Sequence, residues 1–270
     1  MSDGLIPTSQ RSDNGRSRSK NERYAAAYVR LFLGDIASAQ LRALGRIAQS
    51  FGDGTVRLTI DQNVVIPWVD RASLPALFGA LREHELARLD IHTARDVTSC
   101  PGADTCNLAV TSSRAVADSI SKRLEERDVE KLSALQDTVI KVSGCPHSCG
   151  QHHIADIGFH GGAKTIGGIT YPVYQLHLGG GVDEHGARFG RQVVKLLARR
   201  APDAVARMLA LFETEHAEGE RPAQFFKRVD PKRVVAALGE LLGPPTAEDA
   251  TDIGEQKRFL VHDGTGECAA

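Results

Sequence analysis

From Tyr24 onward, hydrophobic positions recur with the two periods that distinguish strands from helices. AAYVRLFLG alternates as a strand does, and DIASAQLRALGRIAQSF repeats apolar residues at helical spacing after Asp35, a residue type that often caps helices. GDG marks a turn, TVRLTI and NVVIPWV predict two strands, and LPALFGALREHEL predicts a second helix. This β-α-β-β-α order predicts an α+β fold that opens with a ferredoxin-like half-domain over residues 24–95.

The next stretch differs because cysteine and glycine concentrate in it. The pattern predicts a helix directly after Cys106, a strand in TVIKVSG, and two strands, ADIGFHG and YPVYQLHLGGG, around the glycine-rich AKTIGGIT. Beyond Gly190 it is mostly helical, in RQVVKLLARR, PDAVARMLALFETEHA and PKRVVAALGELLG. We therefore predict a second, α/β domain over residues 96–242 and a C-terminal tail over residues 243–270.

Composition limits the function classes. Residues 1–23 have too few apolar side chains to offset the conformational entropy that folding would cost. Their composition therefore predicts a disordered tail. Their basic residues suggest an RNA-binding arm, but without interleaved aromatic residues a solvated tail is favoured. The 33 basic and 34 acidic residues leave a net charge of −1, which argues against a nucleic-acid partner. No apolar run is long enough for a membrane span and the N-terminus is not signal-like, so we expect a cytoplasmic protein without a membrane partner.

Four of the five cysteines form two close pairs, Cys100 with Cys106 and Cys145 with Cys149. Two such pairs can bring four thiolates around one centre, which leaves open an iron–sulfur cluster, a structural zinc, disulfides or unliganded cysteines. The five-residue spacer of the first pair is wide for zinc, and a Cys-x3-Cys loop is a poor frame for an unstrained disulfide. Both pairs begin Cys-Pro, a dipeptide found at cluster ligands. The spacing favours an iron–sulfur cluster.

The residues around these cysteines resemble the nitrite/sulfite reductase family. C-x5-C is followed by C-P-H-S-C-G, then by H-I-A-D-I-G-F-H-G and L-H-L-G-G-G, as in the cluster and sirohaem domain of that family. Upstream, VRLTIDQNVVI resembles the family's R-x-T-x-x-Q-N strand pair in its ferredoxin-like half-domain. The resemblance covers residues 24–242 and is to the C-terminal half of family members, which are roughly twice this length.

The resemblance implies two cofactors and the residues that hold them. The metal ligands of a [4Fe–4S] cluster are implied to be Cys100, Cys106, Cys145 and Cys149. Cys149 is also implied to be the shared axial thiolate of a sirohaem iron, which makes it the catalytic residue. The implied sirohaem contacts are Arg57, Thr59, Gln62, Asn63, Arg95 and His147. For His147 a purely structural role in its loop stays open, and Cys268, which has no paired cysteine, is not expected to bind the cluster.

Two further features of the resembling region have alternative interpretations. His152 and His153 resemble the family's bacterial Q-H-H sequence and are either structural or direct cofactor contacts. The glycines between 161 and 168 predict hairpin turns, whereas Gly179–Gly181 predict a close approach of the backbone to the macrocycle.

The implied activity is the six-electron reduction of sulfite to sulfide or of nitrite to ammonia, with electrons passing from the cluster to sirohaem. No flavin or nicotinamide fingerprint is present, so the expected electron donor is a separate ferredoxin or flavoprotein. The family's N-terminal half, which supplies the basic substrate pocket, has no counterpart here, and we expect a separate chain to supply it. The alternatives are a cluster-binding electron-transfer module without catalysis and a zinc-stabilised interaction domain.

Overall fold

The computed structural model describes residues 23–125, 135–184 and 186–261. These residues belong to two compact units that divide between Ile91 and His92. Within the described residues, every helix is too short or too polar to cross a bilayer. The disordered tail predicted for residues 1–23 falls almost wholly outside the described residues, as does Cys268.

The first unit has the predicted β-α-β-β-α order. Its elements are β1 (Tyr24–Val29), α1 (Ser38–Phe51), β2 (Arg57–Leu58), β3 (Val64–Asp70) and α2 (Leu74–Arg82), with 3-10 turns at Phe32–Gly34 and Arg71–Ser73. The three strands form an antiparallel sheet in the order β1-β3-β2. Alternate residues of β1 are buried, as the sequence pattern predicts.

The core of the first unit lies between this sheet and the two helices. Leu44 and Ile47 of α1 and Leu77 of α2 pack with Ile66 of β3 in one buried cluster. The predicted capping role of Asp35 is wrong, because α1 begins at Ser38. The first turn is instead tied by Gln40, whose side-chain oxygen accepts a hydrogen bond from the Ala37 N–H at 3.1 Å.

The second unit combines a mixed sheet with helices. Its strands are β4 (Thr98–Ser99), β5 (Ile140–Ser143), β6 (Ile157–Ile166), β7 (Ile169–Leu178), β8 (Gly181–Asp183), β9 (Gly186–Arg188) and β10 (Arg191–Leu197). Its helices are α3 (Ser113–Glu125), α4 (Ala201–Glu215), α5 (Pro222–Arg228) and α6 (Pro231–Leu238). Short 3-10 turns lie at Gly102–Asp104, His152–Ile154, Ala198–Arg200, Gly239–Leu242 and Glu248–Ala250. The five-stranded sheet has the order β10-β7-β6-β5-β4, and β8 pairs with β9 in a separate ribbon.

Two elements of the second unit differ from the sequence prediction. RQVVKLL is the strand β10 rather than a helix, since it pairs with the edge of β7 and contains two adjacent β-branched valines. Helix α3 begins at Ser113, not directly after Cys106. The backbone before it folds back instead, and the N–H groups of Val110 and Thr111 donate to the Gly144 carbonyl at 2.9 and 3.0 Å.

Part of the segment predicted as a C-terminal tail is packed. Asp252 is buried and accepts a hydrogen bond from the Ser112 N–H at 2.8 Å, just before α3. Asp249 is also buried and pairs with Arg200 at 2.9 Å. The chain is therefore packed against the second unit at least as far as Asp252. Residues 262–270 lie outside the described range.

Two adjacent glycines in β6 provide a matched stability test. Gly161 and Gly162 lie in the strand and not in a turn as predicted. A Cβ on Gly161 would overlap Thr111 Oγ1 and lie 2.6 Å from the Gly144 oxygen, whereas a Cβ on Gly162 would meet nothing closer than 3.9 Å. We expect Gly161→Ala to lower the free energy of unfolding by about 1–3 kcal/mol. Gly162→Ala should change it by less than about 0.5 kcal/mol in the same urea titration, and equal effects would show that the contact with Thr111 is unimportant.

Candidate functional site

The sheet topology brings the two cysteine pairs to one place. Cys100 directly follows β4, and Cys145 follows β5 after one intervening residue, Gly144. Because β4 and β5 are adjacent and parallel, their carboxyl ends lie at the same edge of the sheet. The Cys100 N–H continues the pairing by donating to the Val142 carbonyl at 3.1 Å. A strand pair thus fixes one cysteine of each pair.

The four cysteines lie close enough to influence one another. Burial raises the pKa of the Cys145 thiol, and the backbone N–H of His147 partly opposes this increase. Electrostatic repulsion from the other three cysteines raises the Cys145 pKa further. All four side chains are free thiols, so none of them is joined in a disulfide. All four thiols could therefore act as metal ligands.

Backbone contacts shape the loops that carry these thiols. A Cβ on Gly144 would lie 2.6 Å from the Thr111 oxygen, so the loop before Cys145 packs through bare backbone. Gly150, directly after Cys149, is under the same steric constraint, because a Cβ there would overlap the Val142 backbone oxygen. Ser148 adopts a left-handed conformation with φ 63°, which helps turn the chain at Cys149. Residues without a Cβ are therefore required at Gly144 and Gly150, on either side of the second cysteine pair.

The cysteines differ in exposure and in hydrogen bonding. Cys100 and Cys145 are buried, Cys106 is half-buried and Cys149 is exposed. The Cys100 sulfur accepts a hydrogen bond from the Gly144 N–H at 3.2 Å and lies 3.2 Å from the Ser113 hydroxyl. Cys149 is consequently the sulfur most open to a second group.

The four cysteines offer a donor set of a kind that binds metal. Four thiolates suit either zinc or an iron–sulfur cluster. Among the described residues, three histidines have ligand atoms close enough to hold one ion together. None of the described cysteines belongs to a group of three or more that does so. A tetrahedral zinc would need the four sulfur atoms within about 4 Å of each other. The described cysteines therefore form no preformed single-ion site.

The sirohaem contacts predicted in the first unit lie on and after β2. Arg57 is exposed on that strand. The turn that follows is built by Thr59, whose hydroxyl accepts from the Asn63 N–H at 3.1 Å, and Gln62 takes a left-handed φ of 62° there. Asn63 is fully buried, and its side-chain oxygen accepts from the Leu31 N–H at 2.9 Å. Asn63 therefore holds the turn to the chain segment just after β1, while Arg57 is positioned outward.

The two other predicted contacts lie in the second unit. Arg95 is half-buried, and its Nε donates to the Leu124 carbonyl at 3.1 Å, near the end of α3. His147 is exposed, with Nδ1 at 3.6 Å from the Cys145 sulfur. His147 therefore lies beside the thiol set, and the Arg95 guanidinium contributes to helix termination.

Two family models match the chain, one in each part. Residues 17–84 match the nitrite/sulfite reductase ferredoxin-like half domain, and residues 91–245 match the nitrite and sulphite reductase 4Fe-4S domain. The chain belongs to the nitrite/sulfite reductase family. The predicted family and the predicted α+β fold are thereby confirmed. Membership identifies a [4Fe–4S] cluster and sirohaem as its cofactors and supports the iron–sulfur interpretation of the thiol set.

Similar proteins include reductases for both substrates. A ferredoxin–nitrite reductase of Synechococcus elongatus is 35% identical over 158 residues, which are 57% of this chain and 30% of that protein. A sulfite reductase [ferredoxin] of Mycobacterium tuberculosis is 31% identical over 204 residues, 73% of this chain and 36% of that protein. The structure of Mycobacterium tuberculosis NirA protein matches with a TM-score of 0.68 and 27% identity, over 84% of this chain and 42% of that one. The chain spans about a third of the length of these curated relatives.

Proposed function

We propose that the chain is the C-terminal, cofactor-holding half of a ferredoxin-type nitrite/sulfite reductase of the cytoplasm. The observation that carries this proposal is the set of four free cysteines that β4 and β5 bring to one edge of the sheet. That set lies within the residues that match the family's 4Fe-4S domain.

The proposed cluster ligands are Cys100, Cys106, Cys145 and Cys149. Cys149 is proposed to share its thiolate with the sirohaem iron, and its exposure supports this role, since the buried Cys100 and Cys145 lack comparable access. When bound, the two cofactors would supply one-electron transfers to sulfite or nitrite, six for each substrate molecule.

The chain's own groups would tune and orient these cofactors. The Gly144 N–H donates to the Cys100 sulfur, and such a bond stabilises added negative charge, which raises a cluster's reduction potential. Arg57 would pair with a sirohaem carboxylate, because its exposed guanidinium suits bidentate binding. We propose further sirohaem contacts from the remaining predicted residues, Thr59, Gln62, Asn63, Arg95 and His147.

A second half is proposed to complete the site with a basic pocket for the anionic substrate. The matched regions amount to 30–36% of the reductases' length, so their activity needs more chain than is aligned here. Electrons would come from a separate ferredoxin or flavoprotein.

The proposal is tested by anaerobic reconstitution of the chain with iron, sulfide and sirohaem, followed by assay with a reduced viologen. We expect a cluster to form and sulfite and nitrite turnover to stay at the level of the Cys149→Ser variant. Turnover by the chain alone at about 1 s⁻¹ or faster would refute the need for a second half. A chain that takes up no iron would refute the cofactor-holding role itself.

A further inference from the structure

Three histidines from three elements meet on one face of the second unit's sheet. This histidine trio consists of His152 in its 3-10 turn, His160 on β6 and His177 on β7. In the β6–β7 register, His160 faces Gln175 and His177 faces Gly158, so the two histidines are diagonal neighbours on the same face. A Cβ on Gly158 would overlap the His152 carbonyl oxygen. The bare glycine therefore lets the turn with His152 lie against that face.

The three imidazole rings form a nearly regular triangle. The ring centroids are 4.9 Å apart for His152 and His160, 4.8 Å for His152 and His177, and 4.9 Å for His160 and His177. One ring nitrogen of each lies within 4.8 Å of the others. His160 Nδ1 and His177 Nε2 are hydrogen-bonded to each other at 2.8 Å. Zinc–nitrogen bonds of about 2.0–2.1 Å place tetrahedral ligand nitrogens about 3.4 Å apart, so an ion would replace this hydrogen bond after ring rotations.

The trio also contains a buried nitrogen atom that lacks a partner among the described residues. His152 is 0% exposed, and its Nε2 has no hydrogen-bond partner there. His177 is 1% exposed, and its ring contacts His160 and the Gly190 backbone. Leaving an atom such as His152 Nε2 unpaired is costly. The other nitrogen of His152 is oriented by the Ser143 hydroxyl at 2.9 Å, as the outer nitrogen of a metal-bound histidine usually is.

The surroundings favour neutral imidazoles, which are the ligating form. Burial lowers the pKa of His152 to about 3 and that of His177 to about 4, and the neighbouring imidazoles lower both further. The pKa of His160 is lowered by burial, by His153 and by Lys195. Three neutral nitrogen donors suit borderline transition metals, whereas magnesium and calcium prefer oxygen.

We propose that His152, His160 and His177 form a second metal site, which binds one divalent transition-metal ion of the zinc type through three nitrogens. The site is separate from the four cysteines and does not rest on the proposed reductase function. An ion held there would tie the turn that follows Cys149 to the β6–β7 hairpin, and its fourth coordination position would be left for water.

The test uses zinc and the chain with its cluster already assembled, so that the cysteines are occupied. We expect one zinc per chain, with a zinc absorption spectrum that shows nitrogen ligands at about 2.0–2.1 Å and no sulfur at about 2.3 Å. His160→Gln is the variant of choice because His160 is only half-buried. It should raise the zinc dissociation constant at least about tenfold.

His153→Gln is the matched control. Its ring lies 4.1 Å from that of His152 and stacks on Phe189, but His153 is outside the trio. The control should bind zinc as the unmodified chain does. Absence of zinc binding, a sulfur shell in the unmodified chain, or equal weakening by both variants would overturn the proposal. The spectrum of the unmodified chain decides the matter even if His160→Gln folds poorly.

Discussion

Replacing Cys145 by serine is expected to remove the cluster. The unmodified chain should hold about four irons after anaerobic reconstitution, and Cys145→Ser should hold fewer than one. The reason is that Cys145 is buried beside the end of β5, where the strand pair fixes its position and no other described cysteine can replace it. Iron and acid-labile sulfide per chain are the quantities to measure.

Cys268→Ser is the matched control for this loss, because Cys268 is the fifth cysteine and is not expected to bind the cluster. It should retain the full iron and sulfide content. If Cys145→Ser kept four irons while Cys268→Ser lost them, the ligand set proposed here would be wrong.

The second large effect concerns the stability of the first unit. Arg30 is 1% exposed and pairs with Asp90, which is 13% exposed and also lies 3.3 Å from Arg88. Arg30→Leu would remove the buried guanidinium beside the Asp90 carboxylate, and the remaining Arg88 is more exposed. We expect the free energy of unfolding to fall by about 3 kcal/mol, measured by urea denaturation at neutral pH.

The exposed pair of Arg23 and Asp70 supplies the control, with side chains 70% and 33% exposed. Arg23→Leu should cost less than about 1 kcal/mol, because solvent screens such pairs. An equal cost for both variants would show that burial of Arg30 does not determine the strength of its ion pair.

The effect of Arg30→Leu should also depend on pH. Burial alone would raise the pKa of Asp90, but the Arg30 and Arg88 guanidinium groups hold it below its ordinary value. A lowered carboxyl pKa stabilises the fold above the unfolded-state value of about 3.9, and this stabilisation is lost as the pH falls through the folded-state value. The difference between Arg30→Leu and the unmodified chain should therefore shrink below about pH 4.

The sequence predicts elements well where one periodicity dominates. The alternating β1 and the amphipathic α1 are examples, because each buries one face against a single core. It fails at β10, whose residues have no decisive local preference and become a strand by pairing with β7. Pairing of distant segments is a tertiary effect that periodicity does not encode.

In the candidate site, too, features set by nearby residues could be predicted, whereas contacts between distant segments could not. The four cysteines are recognisable from their spacing, because each pair is closed over a short loop. His160 and His177 were not predicted to act together, since only the register of β6 and β7 makes them neighbours. Their alternation with other residues, in F-H-G and L-H-L, shows only that each histidine faces away from its immediate neighbours in its own strand. The close packing of Gly161 against Thr111 likewise depends on contacts between distant segments.

We propose that the four cysteines hold one [4Fe–4S] cluster. Mössbauer spectroscopy of the chain reconstituted with iron-57 under anaerobic conditions distinguishes such a cluster from other iron centres. We expect a single cubane cluster, in which every iron is coordinated by sulfur and iron and sulfide are present in equal amounts. A mononuclear or two-iron centre, or iron without sulfide, would contradict it.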